Sequence, residues 1–68
     1  MNITFETELE ADGRWIAEVP ELPGVMAYGA SEGEAIARAE SLALRVLADR
    51  IDNNESGAMP VSILIAAE

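Results

Sequence analysis

The sequence predicts an α+β domain of order β-β-β-α-β. An antiparallel three-stranded meander comes first, one helix packs on one face, and a fourth strand returns parallel to the first. Three observations carry this prediction. Residues 3–10 alternate apolar and polar with period two, as a half-buried strand must. Glycine-bearing turns at Asp12-Gly13 and Pro23-Gly24 divide the following apolar runs. From Ser31 onward the apolar period changes to three and four, the period of a helix. With 68 residues the chain reads as one domain, 1–68.

In the first strand Ile3, Phe5, Thr7 and Leu9 share the inner side, and Thr4, Glu6, Glu8 and Glu10 share the outer one. Asp12-Gly13 is a hairpin signal, because both residue types tolerate positive φ. The second strand covers residues 14–19. Trp15, Ala17 and Val19 share one side of it, Ile16 and Glu18 the other, and placing Glu18 in water turns Trp15 inward.

Pro20-Glu21-Leu22-Pro23-Gly24 breaks regular structure. Two prolines remove two amide donors and fix two φ angles, which makes a stiff loop with Leu22 at its centre. A short third strand spans 25–28, ended by Gly29-Ala30. Ser31-Glu32-Gly33-Glu34 then matches a capping box, with Ser31 at the N-cap and Glu34 at the third helical position. Ala35, Ile36, Ala39, Leu42, Ala43, Val46 and Leu47 form the apolar face of a helix over 32–49, with Arg38, Ser41 and Arg45 opposite. A polar turn follows at 52–57, Pro60 bars further helix, and the β-branched run 61–66 reads as the last strand.

Composition narrows the function. Thirteen acids face four bases, for a formal net charge of -9. A charge of this sign repels phosphate, so direct nucleic-acid binding is not expected, and a basic protein partner is favoured. The absence of Cys and His removes thiolate and imidazole chemistry, with the metal sites built from them. No catalytic residue, metal site or cofactor is expected. Nothing approaches a membrane span or a signal peptide, which points to a cytoplasmic protein. A domain this small gains from oligomerisation, so a homo-oligomer, dimer or tetramer, is expected through edge pairing or apolar packing between copies.

The run Asp12-Gly13-Arg14-Trp15-Ile16-Ala17-Glu18-Val19-Pro20-Glu21-Leu22-Pro23-Gly24 continues into Gly29-Ala30-Ser31-Glu32-Gly33-Glu34-Ala35. It resembles the HicB family of antitoxins, whose pattern joins a hairpin, a Pro-acid-Leu-Pro-Gly loop and a Gly-x-Ser/Thr-x-x-Glu-Ala helix start. The resemblance covers roughly residues 3–52, with Arg14 standing where a second glycine is common. It implies a degenerate, partial ribonuclease H-like fold. It also implies a toxin–antitoxin role, in which the chain neutralises a small basic HicA-type toxin that cleaves mRNA. A C-terminal DNA-binding module, found in many members, has no counterpart expected here. The alternative is a solitary oligomeric HicB-like protein acting as a regulatory or scaffold element without a toxin.

Candidate partner-binding residues are Glu6, Glu8 and Glu18 on the acidic outer face, Glu21, Leu22 and Pro23 in the stiff loop, and the aromatics Trp15 and Tyr28. Stiff loops lose little entropy on docking and aromatics are enriched at interfaces. Each has a plainer reading: a solvated sheet face, a turn that covers the end of the core, and core packing. The carboxylates also invite comparison with a two-metal nuclease, but nothing in their spacing converges. Ser31 and Glu34 are assigned to helix capping.

Overall fold

A computed structural model describes residues 2–53 and 61–65, with side chains described through residue 62. Strands β1 (Asn2–Leu9), β2 (Trp15–Glu18) and β3 (Met26–Gly29) precede helix α1 (Glu32–Asp52), and β4 (Ser62–Ile65) follows it. The chain is α+β, with the antiparallel meander and single helix that the periodicities demand. β1 pairs antiparallel with β2, and β2 with β3. The backbone of β4 lies beside β1, giving the sheet order β3-β2-β1-β4. Residues 54–57 of the expected polar turn, Pro60 and Ala66 lie outside the described residues.

The core sits between the helix and one side of the sheet. Ile3 and Phe5 of β1, Ala17 of β2, and Ala35, Ile36, Ala39, Ala43 and Leu47 of α1 are buried together. Among the described residues no polar or charged residue is buried with them. Apolar burial is therefore the main force that holds the two layers together.

The two turns are more specific than their composition suggests. In the β1–β2 hairpin Gly13 donates its N–H to the Glu10 carbonyl (3.0 Å) and Glu10 to the Arg14 carbonyl (2.7 Å). This is a three-residue loop. Only Gly13 takes positive φ, at 91°, so the expected use of both Asp12 and Gly13 in a left-handed turn is corrected. Asp12 instead accepts the Arg14 N–H at 3.1 Å and its Nε at 2.8 Å.

The proline loop is two consecutive β-turns. Leu22 N–H donates to the Val19 carbonyl and Val25 N–H to the Leu22 carbonyl, both at 3.0 Å. Each proline occupies the second position of its turn, where its fixed φ is wanted. Gly24 supplies positive φ (87°) at the third position of the second turn, as a type II turn requires. Val19, Leu22 and Val25, the corners of the two turns, are all buried in the core.

The helix starts under β3. The Ser31 hydroxyl accepts the Glu34 N–H at 3.1 Å. The Glu34 carboxylate reaches back to the Ala30 N–H at 2.7 Å, one residue earlier than the usual capping-box partner. The helix runs three residues past the expected Asp49, to Asp52, and closes on Asn53, whose N–H donates to the Asp49 carbonyl at 3.0 Å. Its 21 residues span about 31 Å.

Leu9 departs from expectation. It lies on the helix-facing side, in register with Trp15 and thus with Gly29, yet it is 55% exposed. The first turn of α1 packs on the Gly29 end of that row and reaches β1 at Thr7, through Glu32, leaving Leu9 exposed. Gly29, expected to end the third strand, belongs to it. A Cβ built there would lie 2.5 Å from the Ala35 nitrogen, so only glycine lets helix and strand meet.

These contacts set one prediction. Gly29→Ala drives a methyl into backbone that cannot yield, and is expected to cost roughly 1–3 kcal/mol, read as a fall in thermal midpoint. Gly33→Ala fills open space and is expected to gain up to about 1 kcal/mol. Equal effects at the two glycines would contradict the close-approach account.

Candidate functional site

The candidate site is the sheet face away from α1. Strand alternation and register fix its rows. Glu8, Ile16 and Tyr28 stand side by side across β1, β2 and β3, and Glu6, Glu18 and Met26 form the next row. Glu6, Glu8 and Glu18 are exposed. Met26 and Tyr28 are exposed large side chains at the β3 edge. Ile16, between Glu8 and Tyr28, is only 7% exposed although it lies outside the helix-side core. The face is thus half acidic and half apolar, with the boundary running along β2.

Glu6 and Glu18 are direct cross-strand partners. Facing residues in such a pair hold their Cβ atoms about 5 Å apart, and like charges there oppose pairing. The two ion pairs among the described residues join Arg14 to Asp12 (2.8 Å) and Arg38 to Glu34 (3.7 Å). Neither reaches Glu6, Glu8 or Glu18. The face therefore carries unrelieved repulsion in the isolated chain.

The β3 edge adjoins this face. The Val19–Val25 hydrogen bond fixes the alternation of the β2–β3 ladder, so the peptide groups of Met26 and Tyr28 point away from β2. The Tyr28 carbonyl accepts a hydrogen bond from Arg38 Nη1 at 3.1 Å, which blunts part of the open edge. From the other side the Arg14 guanidinium sits 4.3 Å from the centre of the Tyr28 ring, within cation–π range. Tyr28 is therefore held in place by two arginines while its ring stays partly exposed.

The remaining candidates divide by burial. Leu22 is 1% exposed, so its side chain belongs to the core and is not offered to a partner pocket. Trp15 is half-buried and packs against the core. Pro23 is exposed at the loop tip. Glu21 is exposed but engaged, its carboxylate accepting the Thr4 N–H at 3.1 Å and the Thr4 hydroxyl at 2.7 Å. Pro20 brings no N–H to the β1–β2 ladder, and Glu21 ties β1 to the loop at that point. The sequence signal was available: an acid directly after a proline that interrupts a strand pair.

Thr7 donates its hydroxyl to Glu32 at 2.6 Å, linking β1 to the helix start. Two carboxyls are perturbed. Hydrogen bonds from the Thr4 hydroxyl and amide hold Glu21 below its ordinary value of 4.5. The Arg14 N–H, with its side chain, holds Asp12 below 3.8.

Among the described residues there is no cavity, no group of three or more acids placed to hold a metal, and no helix long and apolar enough to cross a membrane. The chain matches no protein-family model, no curated protein and no solved structure with which it was compared.

Glu21 yields a pH prediction. Its carboxyl is depressed in the folded chain, so its contribution to stability is fully present above 4.5 and fades as pH falls through the lower folded value. Thermal midpoints of the wild type and Glu21→Gln should therefore differ most near neutral pH and converge in acid below 4.5. A difference that does not shrink in acid would show that the Thr4 contacts do not depend on the charge.

Proposed function

We propose that the chain is an antitoxin-like binding protein that neutralises a small basic mRNA-cleaving toxin of the HicA type by occlusion, without catalysis of its own. One observation carries the reading: Glu6 faces Glu18 on the sheet side away from α1, with Glu8 beside them, and among the described residues no cation pairs with any of the three. A pairing that opposes folding of the isolated chain gains a favourable term when a positive surface docks against it. Met26 and Tyr28 supply adjacent apolar area, so the partner meets charge and hydrophobic contact on one face.

Occlusion follows from chemistry. A toxin that cleaves RNA must present cations to phosphate. A sheet face whose carboxylates occupy those cations competes with RNA for the same groups. Long-range attraction between a chain of net charge -9 and a basic partner accelerates encounter, and salt screens it. The same reading places the β-β-β-α-β order in a degenerate ribonuclease H-like fold and the protein in the cytoplasm, where its target acts. The family likeness in residues 12–35 supports it, since the loop, the hairpin and the helix cap there each fold as units.

The reading predicts opposed effects from one substitution. Glu18→Lys replaces a repelling pair with an attracting one and should raise the stability of the isolated chain by about 0.2–1 kcal/mol. It should also slow association with the toxin by about tenfold and flatten its salt dependence. Growth arrest by a HicA-type toxin should be relieved by co-expression of the wild type and only poorly by that of the variant. Glu18→Lys that binds as fast as the wild type would overturn the assignment of the face. Absence of any complex with an active toxin would overturn the function.

A further inference from the structure

Arg14 is a cation on the outer sheet face, where a surface that attracts a basic partner gains nothing from its charge. It directly precedes β2 and shares the parity of Ile16 and Glu18, so its side chain emerges on their side. The register Trp15–Gly29 and Ile16–Tyr28 sets Arg14 diagonal to Tyr28, within reach of a long side chain. Its guanidinium lies 4.3 Å from the centre of the Tyr28 ring.

The arginine is itself fixed. Asp12 accepts the Arg14 N–H at 3.1 Å and its Nε at 2.8 Å, so one carboxylate holds both backbone and guanidinium. The Tyr28 backbone is held separately. Its carbonyl accepts from Arg38 Nη1 at 3.1 Å, Arg38 lies 3.7 Å from Glu34, and Glu34 accepts the Ala30 N–H at 2.7 Å. Ring and backbone of one exposed aromatic are thus held through different contacts. Tyr28 remains 38% exposed, in the row of Ile16 and Glu8. The Arg14 and Asp12 side chains are 57% and 55% exposed, so water screens the pair and it adds little to stability. Its effect falls on order. An aromatic already fixed loses less freedom on docking, and aromatics anchor interfaces.

We infer that Arg14, set by Asp12, is a positioning residue that holds the Tyr28 ring in the orientation in which it docks against the basic partner. The inference rests on the antitoxin reading and deepens it: charge brings the partner to the face, and the fixed ring retains it. Charge alone and ring positioning predict opposite results when Arg14 is removed. Arg14→Gln makes a chain of net charge -9 one unit more negative, which by charge alone tightens binding to a basic protein. By positioning, it loosens it.

Binding kinetics of the full chain on a purified HicA-type toxin, measured by surface plasmon resonance, separate the two. Arg14→Gln should associate at least as fast as the wild type. It should nevertheless dissociate about two- to fivefold faster, the weight of an exposed cation–π contact. Arg14→Lys, which keeps a cation for the ring, should dissociate more slowly than Arg14→Gln. In a Tyr28→Leu background Arg14→Gln should leave dissociation unchanged, because the arginine acts through the ring. Far-UV circular dichroism checks that each variant keeps the fold. In the free wild-type chain the Arg14 side-chain protons should show ring-current shifts that Tyr28→Leu removes. Dissociation of Arg14→Gln no faster than wild type, an equal effect of Arg14→Gln with and without the ring, or no ring-current shift in the free chain would each overturn the inference and leave the antitoxin reading standing. No complex with a toxin that arrests growth would overturn that reading, and this inference with it.

Discussion

The meeting of Gly29 with the first turn of α1 is the constraint on which the rest of the molecule depends. With no side chain at Gly29 the backbone of Ala35 can lie against β3, and a Cβ there would collide with it at 2.5 Å. Ala39 and Ala43 continue the close approach along the helix. Residues this small bring backbone to backbone, so the layers pack with little side-chain volume between them. The largest fully buried side chains come from elsewhere, Ile3 and Phe5 from β1 and Val19 and Leu22 from the ends of the first proline turn, while Ile36 and Leu47 are the large core residues of α1. The proline loop is therefore a wall of the core as much as a connection. Its rigidity fixes where α1 begins, because β3 and the cap at Ser31 follow directly from it.

Helix α1 packs on one side of the sheet, and among the described residues no second element packs on the other. The sheet face gathers Glu6, Glu8 and Glu18 beside Tyr28 and Met26. Helix α1 carries three arginines and five acids, with Leu44 and Ile51 exposed on its outer side. Arg14 and Arg38, the bases nearest the sheet, are used on Asp12, Glu34 and Tyr28. They stiffen the β3 edge and leave the central acids uncompensated.

Much of the architecture was legible in residue order. Period-two alternation located β1, the Ser31 capping box located the helix start, and the acidic residues of β1 and β2 were placed in water, where they are. Tertiary context decided the rest. Leu9 has the parity of a core residue, but parity carries no information on where the helix ends its cover. Ile16 has the parity of the solvated face and is nevertheless shielded there. Leu22 could be read as a docking plug or as core, and the three-residue spacing of Val19, Leu22 and Val25, each at a turn corner, was the signal that settles it as core. Glu21 looked like a loop charge free for a partner. Its role in holding Thr4 rests on a contact seventeen residues away in sequence, signalled locally only by the proline directly before it. The helix extends to Asp52 because Asn53 caps it, although the acid-rich composition there suggested a turn.

Amide chemical-shift mapping during titration with the basic partner tests the central claim most directly. The account predicts that the amides of Glu6, Glu8, Ile16, Glu18, Met26 and Tyr28 shift on binding while those of residues 37–51 keep their positions. Perturbation concentrated on the helix, or a saturated complex that leaves the acidic rows untouched, would contradict it.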